Sequence, residues 1–142
     1  MLILDTSPVL CYVAHQKLGL EMDLGSFFFS IGVVRDKKLL AILVWTDHKK
    51  EHDASWTLVT FDKRWCTKKV LKFFFFLAFD YFKLKRVSAL TRVSNTKANS
   101  LLKRLSFQKE GCLKSFFKFK EGKKTHFEDA FMWALLKKPQ KF

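Results

Sequence analysis

Basic residues are concentrated around the start of a predicted helix in the middle of the chain. Lys68 and Lys69 open this helix, Lys72 follows one turn later, and Lys63 and Arg64 precede it. The unpaired amides at a helix start make the local potential positive, so each exposed cation there costs about 0.3–1 kcal/mol. Binding of an anion reverses this cost, because amides, helix dipole and lysines then attract the same phosphate. We therefore expect a phosphate site here, although lysines that merely solvate an apolar helix would give the same pattern.

The charge of the chain is divided unevenly between its two halves. The 142 residues have a formal net charge of +14, with 6 Lys and Arg against 8 Asp and Glu in residues 1–62, and 21 against 5 in residues 63–142. Such an asymmetry concerns partners more than fold. We expect the second half to attract phosphates, nucleic acid or an acidic protein surface.

Metal and disulfide chemistry are not expected. Cys11, Cys66 and Cys112 are widely spaced and odd in number, and the sequence has no CxxC or CxxH pair. This excludes a disulfide scaffold and the common zinc sites, and it favours a reducing compartment. Cys66 differs from the other two because a helix start and nearby lysines lower the pKa of a thiol. We expect no bound metal.

Length and composition predict one folded domain, residues 1–142. A chain with 49% hydrophobic and 16% aromatic residues is not of the disordered class. The start of the sequence has no basic leader, and the most apolar segment, Val70–Phe79, is too short to span a bilayer and contains Lys72. We expect a cytoplasmic protein with no membrane segment.

Hydrophobic periodicity predicts helices and strands that alternate through the middle of the chain. The predicted helices are Ser7–Gly19, capped by Ser7, Lys68–Phe82, capped by Thr67, and Asn95–Leu105. The predicted strands are Phe27–Val34, Leu39–Trp45, Ser55–Phe61 and Arg86–Thr91. Three further apolar or alternating stretches, Phe107–Cys112, Lys114–Phe119 and Thr125–Leu136, form two or three strands. Residues 35–38 form a hairpin turn and residues 46–54 a loop. The pattern predicts an α/β (α+β) fold, with a mixed central sheet and helices on its faces.

Several short motifs follow one another in the second half of the chain. After the Arg86–Thr91 strand comes a spaced set, which is Asn95, Ala98, Leu101, Leu105, Phe107, Glu110 and Gly111. Trp65-Cys66-Thr67-Lys68-Lys69 precedes the long helix, an aromatic-rich stretch ends it, and Asp129-Ala130-Phe131-Met132-Trp133 comes near the end. In this order the motifs resemble the GNAT superfamily of acyl-CoA-dependent N-acyltransferases, and more narrowly the small GNAT-like proteins of tailed phages. The resemblance covers residues 30–136 and implies a sheet of six or seven strands.

The resemblance also implies where a cosubstrate binds. Acetyl-CoA would lie between the strands Ser55–Phe61 and Arg86–Thr91, with its pantetheine against the first strand and its pyrophosphate at the turn before the long helix. Asn95 matches an asparagine that helps to hold the cofactor, and Lys97 or Arg104 would reach the 3′-phosphate. The cofactor-binding residues implied in this way are Leu58, Val59, Thr60, Phe61, Lys63, Arg64, Trp65, Cys66, Thr67, Lys68, Lys69, Asn95 and Lys97. An amine acceptor of unknown identity would enter from the opposite side, in the host cytoplasm if the protein is phage-encoded.

No residue is singled out as the catalyst. Acyl transfer to an amine needs a base for the amine proton and an acid for the leaving thiolate. The candidates by position are Asp62, Glu51, His52 and Tyr81, with His48 in the same polar segment as His52.

Two departures from the family pattern keep a second function open. The chain has no glycine between Gly32 and Gly111, whereas most GNAT enzymes have glycines in the pyrophosphate turn, and Leu102 and Ala98 stand where many have Tyr or Ser. The alternatives are therefore an N-acetyltransferase and a catalytically inactive GNAT-like protein that binds nucleic acid or an acidic partner through its basic half. The run Phe73–Phe76 also predicts an apolar contact, in a homodimer or a larger assembly.

Overall fold

The computed structural model describes residues 1–142, which form seven strands and three helices around one sheet. In chain order the elements are β1 (Leu2–Asp5), α1 (Val9–Leu18), β2 (Phe27–Arg35), β3 (Lys38–Lys49), β4 (Asp53–Thr60), α2 (Lys68–Phe75), β5 (Arg86–Arg92), α3 (Thr96–Arg104), β6 (Gln108–Glu121) and β7 (Lys124–Leu135). The strand order is β1-β2-β3-β4-β5-β7-β6, and only β4 and β5 are parallel. The predicted mixed sheet is confirmed.

The two faces of the sheet carry separate cores. Alternation along β3 turns Leu43 and Trp45 to one face and Ile42 and Val44 to the other. The first face packs against α2 and α3 in the larger core, and α1 covers the second face through Ala14. The helices therefore lie on both sides of the sheet, as the sequence predicts.

The four consecutive phenylalanines that follow Lys72 divide between core and surface. Phe74 and Phe75 are buried, Phe73 is half-buried, and Phe76 is 48% exposed. The predicted helix Lys68–Phe82 is helical through Tyr81, but its second half is not α-helical. α2 ends at Phe75, and a π-helical segment, Phe76–Tyr81, continues it. The wider π turn keeps Leu77 and Ala78 buried against the same core.

The N-terminal region differs from the prediction in two ways. Leu2–Asp5 forms a strand, β1, that the sequence analysis did not predict. The carboxylate of Asp5, not the hydroxyl of Ser7, caps the start of α1, because its two oxygens accept hydrogen bonds from the amides of Ser7 and Leu10. Gly19 ends the helix in a left-handed conformation, as predicted.

One further prediction was wrong, and the choice between two and three final strands is decided as two, because polar segments continue strands. β3 runs on to Lys49 and β4 begins at Asp53, so residues 46–54 are largely a hairpin and not a loop. Phe107–Cys112 and Lys114–Phe119 belong to one strand, β6, with a bulge at Ser115, whose φ is 50°. Both segments present polar side chains to solvent, which made them resemble turns in the sequence.

Candidate functional site

The parallel strands at the centre of the sheet pair for only part of their length. Hydrogen-bonded pairing of β4 and β5 runs from Asp53 with Arg86 to Trp56 with Ala89, and stops there. The remaining residues of β4, Thr57–Thr60, pair on their other side with β3 only. Beyond Trp56 the two strands diverge around an opening of about 1180 Å³, which we call the β4–β5 cleft.

Backbone N–H and C=O groups at the unpaired edge of β4 point into this cleft. The amide of Phe61 donates to the carbonyl of Leu40 on β3. Because hydrogen-bonding direction alternates along an antiparallel pair, the N–H and C=O groups of Leu58 and Thr60 point away from β3 and toward the gap. Leu58 and Thr60 both line the cleft, whereas the side chain of Val59 packs beneath α1.

The cleft lies between the larger core and a separate small apolar cluster. On one side its walls are Trp65, Leu71, Phe74, Phe75, Leu101 and Leu102, all of which belong to or pack on the larger core. On the other side the lining includes Leu20, Met22, Leu24, Phe116 and Phe117. Trp65, only 5% exposed, stacks on Phe74 at 6.4 Å, so its ring forms part of the wall.

The start of α2 lies at the mouth of the cleft. Thr67 caps the helix as predicted, since its hydroxyl oxygen accepts from the amide of Val70 at 3.2 Å. The amides of Lys68 and Lys69 have no protein partner. Two free helix-start amides and the lysines beside them give this end of the cleft a positive potential.

The turn before α2 is held by an ion pair. Both carboxylate oxygens of Asp62 accept hydrogen bonds from the guanidinium of Arg64, at 2.9–3.1 Å, and Oδ1 also accepts from the Arg64 amide. These hydrogen bonds lower the pKa of Asp62 to about 2. Arg64 is thus turned onto its neighbour and is not among the residues that line the cleft.

No protein-family model matches the chain, and no curated protein matches its sequence. Solved structures match its fold. A GNAT-family acetyltransferase from Bacillus anthracis has a TM-score of 0.57 and 19% identity over 76% of this chain and 64% of its own. The fold is that of the GNAT acetyltransferases. Spermidine/spermine N-acetyltransferase SpeG from Vibrio cholerae matches with a TM-score of 0.62 and 18% identity over 76% of this chain and 66% of its own.

A third structure matches a larger share of the chain. Ribosomal-protein-S5-alanine acetyltransferase from Vibrio fischeri has a TM-score of 0.62 and 17% identity over 90% of this chain and 67% of its own. The chain spans between three-fifths and about two-thirds of the length of these GNAT structures.

Eight of the thirteen predicted cofactor-binding residues line the β4–β5 cleft. They are Leu58, Thr60, Phe61, Lys63, Trp65, Cys66, Asn95 and Lys97. The other five, Val59, Arg64, Thr67, Lys68 and Lys69, do not. Arg104 lines the cleft as well, and Asn95 caps α3 through a hydrogen bond from the Ala98 amide to its side-chain oxygen at 3.2 Å.

Three of the four proton-transfer candidates lie away from the cleft. Glu51 and His52 are in the turn between β3 and β4, next to the end of β4 that pairs with β5. Tyr81 ends the π-helical segment, where its exposed ring packs edge-on against Phe82. Asp62 alone lines the cleft, and its low pKa keeps it an ionised partner of Arg64. The sequence positions of these residues were therefore poor guides to their place in the fold.

His48 and Cys66 also differ from what the sequence indicated. His48 is on β3, where its ring stacks on Phe28 at 4.1 Å and its Nδ1 accepts from the indole N–H of Trp45 at 3.1 Å. Burial lowers the pKa of His48, so the neutral ring is favoured. For Cys66, burial raises the thiol pKa more than nearby Arg104 lowers it. The expectation of an activated thiol was wrong.

Polar groups that the sequence analysis did not single out lie within the cleft. The hydroxyls of Ser55 and Thr57 line it and have no protein hydrogen-bond partner, and Thr91 lines it from β5. Thr91 accepts from the indole of Trp133 at 2.8 Å and hydrogen-bonds Asn99 of α3 at 2.5 Å. This buried chain fixes α3 against β5 and β7.

No helix is long and apolar enough to cross a bilayer, and no three His, Cys, Asp or Glu side chains converge as metal ligands do.

Proposed function

We propose that the protein is an acyl-CoA-dependent N-acetyltransferase that transfers an acetyl group from acetyl-CoA to an amine. The observation that carries the proposal is the divergence of β4 and β5 beyond Trp56 and Ala89, which leaves an unpaired strand edge along an open cleft. The narrower resemblance to small phage proteins rests on sequence motifs and stays a prediction.

The dimensions and polarity of the cleft suit a long, amide-containing ligand that ends in phosphates. Thr57–Thr60 offer about 13 Å of strand at about 3.3 Å per residue. The backbone N–H and C=O groups of Leu58 and Thr60 have no strand partner on the cleft side, and the amides of a pantetheine arm would hydrogen-bond with them. At the mouth, Lys63, Lys97 and Arg104 line the cleft near the free amides of α2, which supports placing the phosphates there.

Acetyl-CoA supplies an acyl group on a thioester, which a neutral amine cleaves directly, so the protein has to orient the reactants and remove one proton. In this proposal Ser55 and Thr57 hydrogen-bond the incoming amine, because their hydroxyls line the cleft without another partner. The amine nitrogen bonds to the carbonyl carbon, the C–S bond breaks, and the proton lost by the nitrogen passes through water to the leaving CoA thiolate. Water carries this proton because Asp62 is held as an ionised partner of Arg64 and the other candidate bases lie elsewhere.

Binding of CoA tests the proposal directly. Titration calorimetry with acetyl-CoA should show binding, and the double substitution Lys97→Ala with Arg104→Ala should weaken it at least tenfold. The matched control is the double substitution Lys118→Ala with Lys123→Ala, which removes the same charge from β6 and the β6–β7 turn. Neither lysine has an ion-pair partner, and the control should change the affinity less than threefold. No binding of CoA at millimolar concentration to folded protein would overturn the proposal.

A second candidate function is that of a GNAT-like protein that does not catalyse acetyl transfer and binds nucleic acid or an acidic partner through its basic half. It is favoured by one observation, that Glu51, His52 and Tyr81 do not line the cleft. Acetyl-CoA consumption in the presence of an amine panel, followed as thiol release, separates the two. Binding of CoA without thiol release for any amine would favour the second candidate.

A further inference from the structure

One surface of the protein is built from segments that are rich in basic residues. It consists of residues 63–79, which include α2, residues 95–109, which include α3, and the C-terminal residues 136–142. Together these segments contain twelve Lys and Arg and no Asp or Glu. We call this surface the basic face.

Side-chain contacts make the three segments of the basic face one surface. α2 and α3 pack on the same core. The C-terminal residues connect them, because the ring of Phe142 lies 5.6 Å from that of Phe75 and the ammonium of Lys141 donates to the carbonyl of Arg104 at 3.0 Å. The three segments are thus in contact with one another in the folded protein.

Most of these cations have no carboxylate partner. Only Arg64, paired with Asp62 at 2.9 Å, and Lys138, paired with Asp80 at 2.7 Å, form ion pairs. The other ten form none. Unpaired like charge on one side of a protein raises the local concentration of an anionic partner and is compensated when that partner binds.

The cations are more numerous than the proposed cosubstrate requires. Lys63, Lys97 and Arg104 line the β4–β5 cleft. Lys69 and Lys72 do not line it, and both are exposed on the outer side of α2. Their charge is therefore available to a second, larger anion outside the cleft.

Exposed aromatic rings accompany these outer lysines. Phe76 is 48% exposed and stacks with half-buried Phe73, with ring centroids 6.5 Å apart and planes within 29°. Spacings of three and four residues put Lys69, Lys72, Phe73 and Phe76 along one side of the helix. Rings interleaved with cations form the kind of platform on which unpaired bases stack while phosphates contact the lysines.

We propose that the basic face binds single-stranded nucleic acid, with phosphates on the lysines of α2 and α3 and bases stacked at Phe73 and Phe76. A duplex offers the same phosphates but keeps its bases paired, so it gains nothing from the rings. An acidic protein segment would use the charge but not the stacking. The proposal is independent of acetyl transfer and holds for a catalytic and a non-catalytic protein alike.

The test is fluorescence anisotropy with a labelled 20-nucleotide single strand, a duplex of equal length and a polyglutamate peptide, between 50 and 200 mM salt. The single strand should bind more tightly than the other two. For about four phosphate contacts the logarithm of its affinity should fall with that of salt with a slope of about −3.

Matched variants separate charge from stacking. Lys69→Gln with Lys72→Gln should weaken binding at least tenfold and reduce the slope by about 1.4. Phe76→Ala should weaken it at least fivefold at an unchanged slope. The controls are taken from the outer hairpin, residues 110–135, where Lys118→Gln with Lys123→Gln removes equal charge and Phe127→Ala removes a ring that is 58% exposed. Both controls should stay within twofold of the parent protein.

Several outcomes would overturn the proposal, provided that circular dichroism shows each variant folded. Equal or tighter binding of the duplex, with no effect of Phe76→Ala, would exclude stacking. Preference for polyglutamate would assign the face to an acidic protein. If the outer-hairpin controls lose as much affinity as the basic-face variants, binding depends only on net charge. If the single strand does not bind at 50 mM salt, the basic face is not a nucleic-acid site.

Discussion

The basic face and the outer hairpin are both rich in lysine, but they differ in their acidic residues and ion pairs. The outer hairpin has five lysines and four acidic residues, and two of the five lysines form ion pairs, Lys114 with Asp129 at 3.3 Å and Lys120 with Glu21 at 3.2 Å. The basic face has twelve cations and only two ion pairs. β6 is also an edge strand, where lysines block pairing with other chains. The number of lysines alone therefore does not identify a binding surface. The presence or absence of carboxylate partners distinguishes a structural surface from a binding surface.

Two adjacent phenylalanines of the basic face should differ widely in their contribution to stability. Phe75→Ala should lower the free energy of unfolding by about 3–5 kcal/mol, because the ring is fully buried in the larger core. Phe76→Ala should change it by less than about 0.5 kcal/mol, because the ring faces solvent. Urea denaturation of both variants measures the difference. Similar losses would show that the two rings do not divide between core and surface.

The second prediction concerns the polar chain that joins the basic face to the sheet. Thr91→Val should destabilise by about 1–3 kcal/mol, because it leaves the indole of Trp133 and the side chain of Asn99 without their shared partner. Thr57→Val is the matched control, since its hydroxyl has no protein partner. Chemical denaturation of the pair tests this, and equal effects would argue against the buried chain.

A third prediction separates stability from binding on the basic face. Lys69→Glu should raise the free energy of unfolding by about 0.3–1 kcal/mol at low salt, because it replaces a cation at the start of α2 with an anion. The same change should weaken binding of the single-stranded nucleic acid, because Lys69 belongs to the proposed binding surface. Lys118→Glu on the outer hairpin serves as control and should leave binding of the single strand unchanged. Melting temperatures and calorimetry follow the two effects, and a drop in stability for Lys69→Glu would contradict the electrostatic argument.

The smallest effect is expected from acid titration on the outer hairpin. Burial raises the pKa of Glu128, but hydrogen bonds from Ser94 and Arg92 outweigh it, so the pKa lies below its ordinary value of 4.5. A lowered carboxyl pKa stabilises the fold above pH 4.5, and this stability is lost as pH falls through the folded-state pKa. Glu128→Gln should therefore flatten the loss of stability below pH 4.5, measured by denaturation at several pH values. An unchanged profile would mean that other carboxylates dominate.

Much of the fold could be predicted because periodic apolar residues fix which face of each element is buried. The hairpin of β2 and β3, the strands β4 and β5 and the helix α3 follow that rule. β1 was missed because four residues give too short a pattern. The hairpin after Thr46 was missed because strands at the surface carry polar side chains, and Asp47, with a φ of 52°, interrupts the alternation.

Only part of the candidate site could be predicted from the sequence. Local features, such as the Thr67 cap and the lysines at the start of α2, follow from neighbouring residues. The position of Glu51 and His52 depends on where the β3–β4 turn lies, and the chain from Trp133 through Thr91 to Asn99 joins three elements that only the folded sheet brings together. No spacing in the sequence encodes such contacts.

The π-helical segment Phe76–Tyr81 gives the protein an unusual tolerance in chain length. Each turn there contains one residue more than an α-turn, as the bond from the amide of Phe82 to the carbonyl of Leu77 shows. Deleting one residue within the segment would restore regular winding and leave upstream Phe74 and Phe75 where they are. Deleting one within α2 would instead rotate both rings out of the core, so insertions and deletions in homologous sequences should concentrate after Phe75.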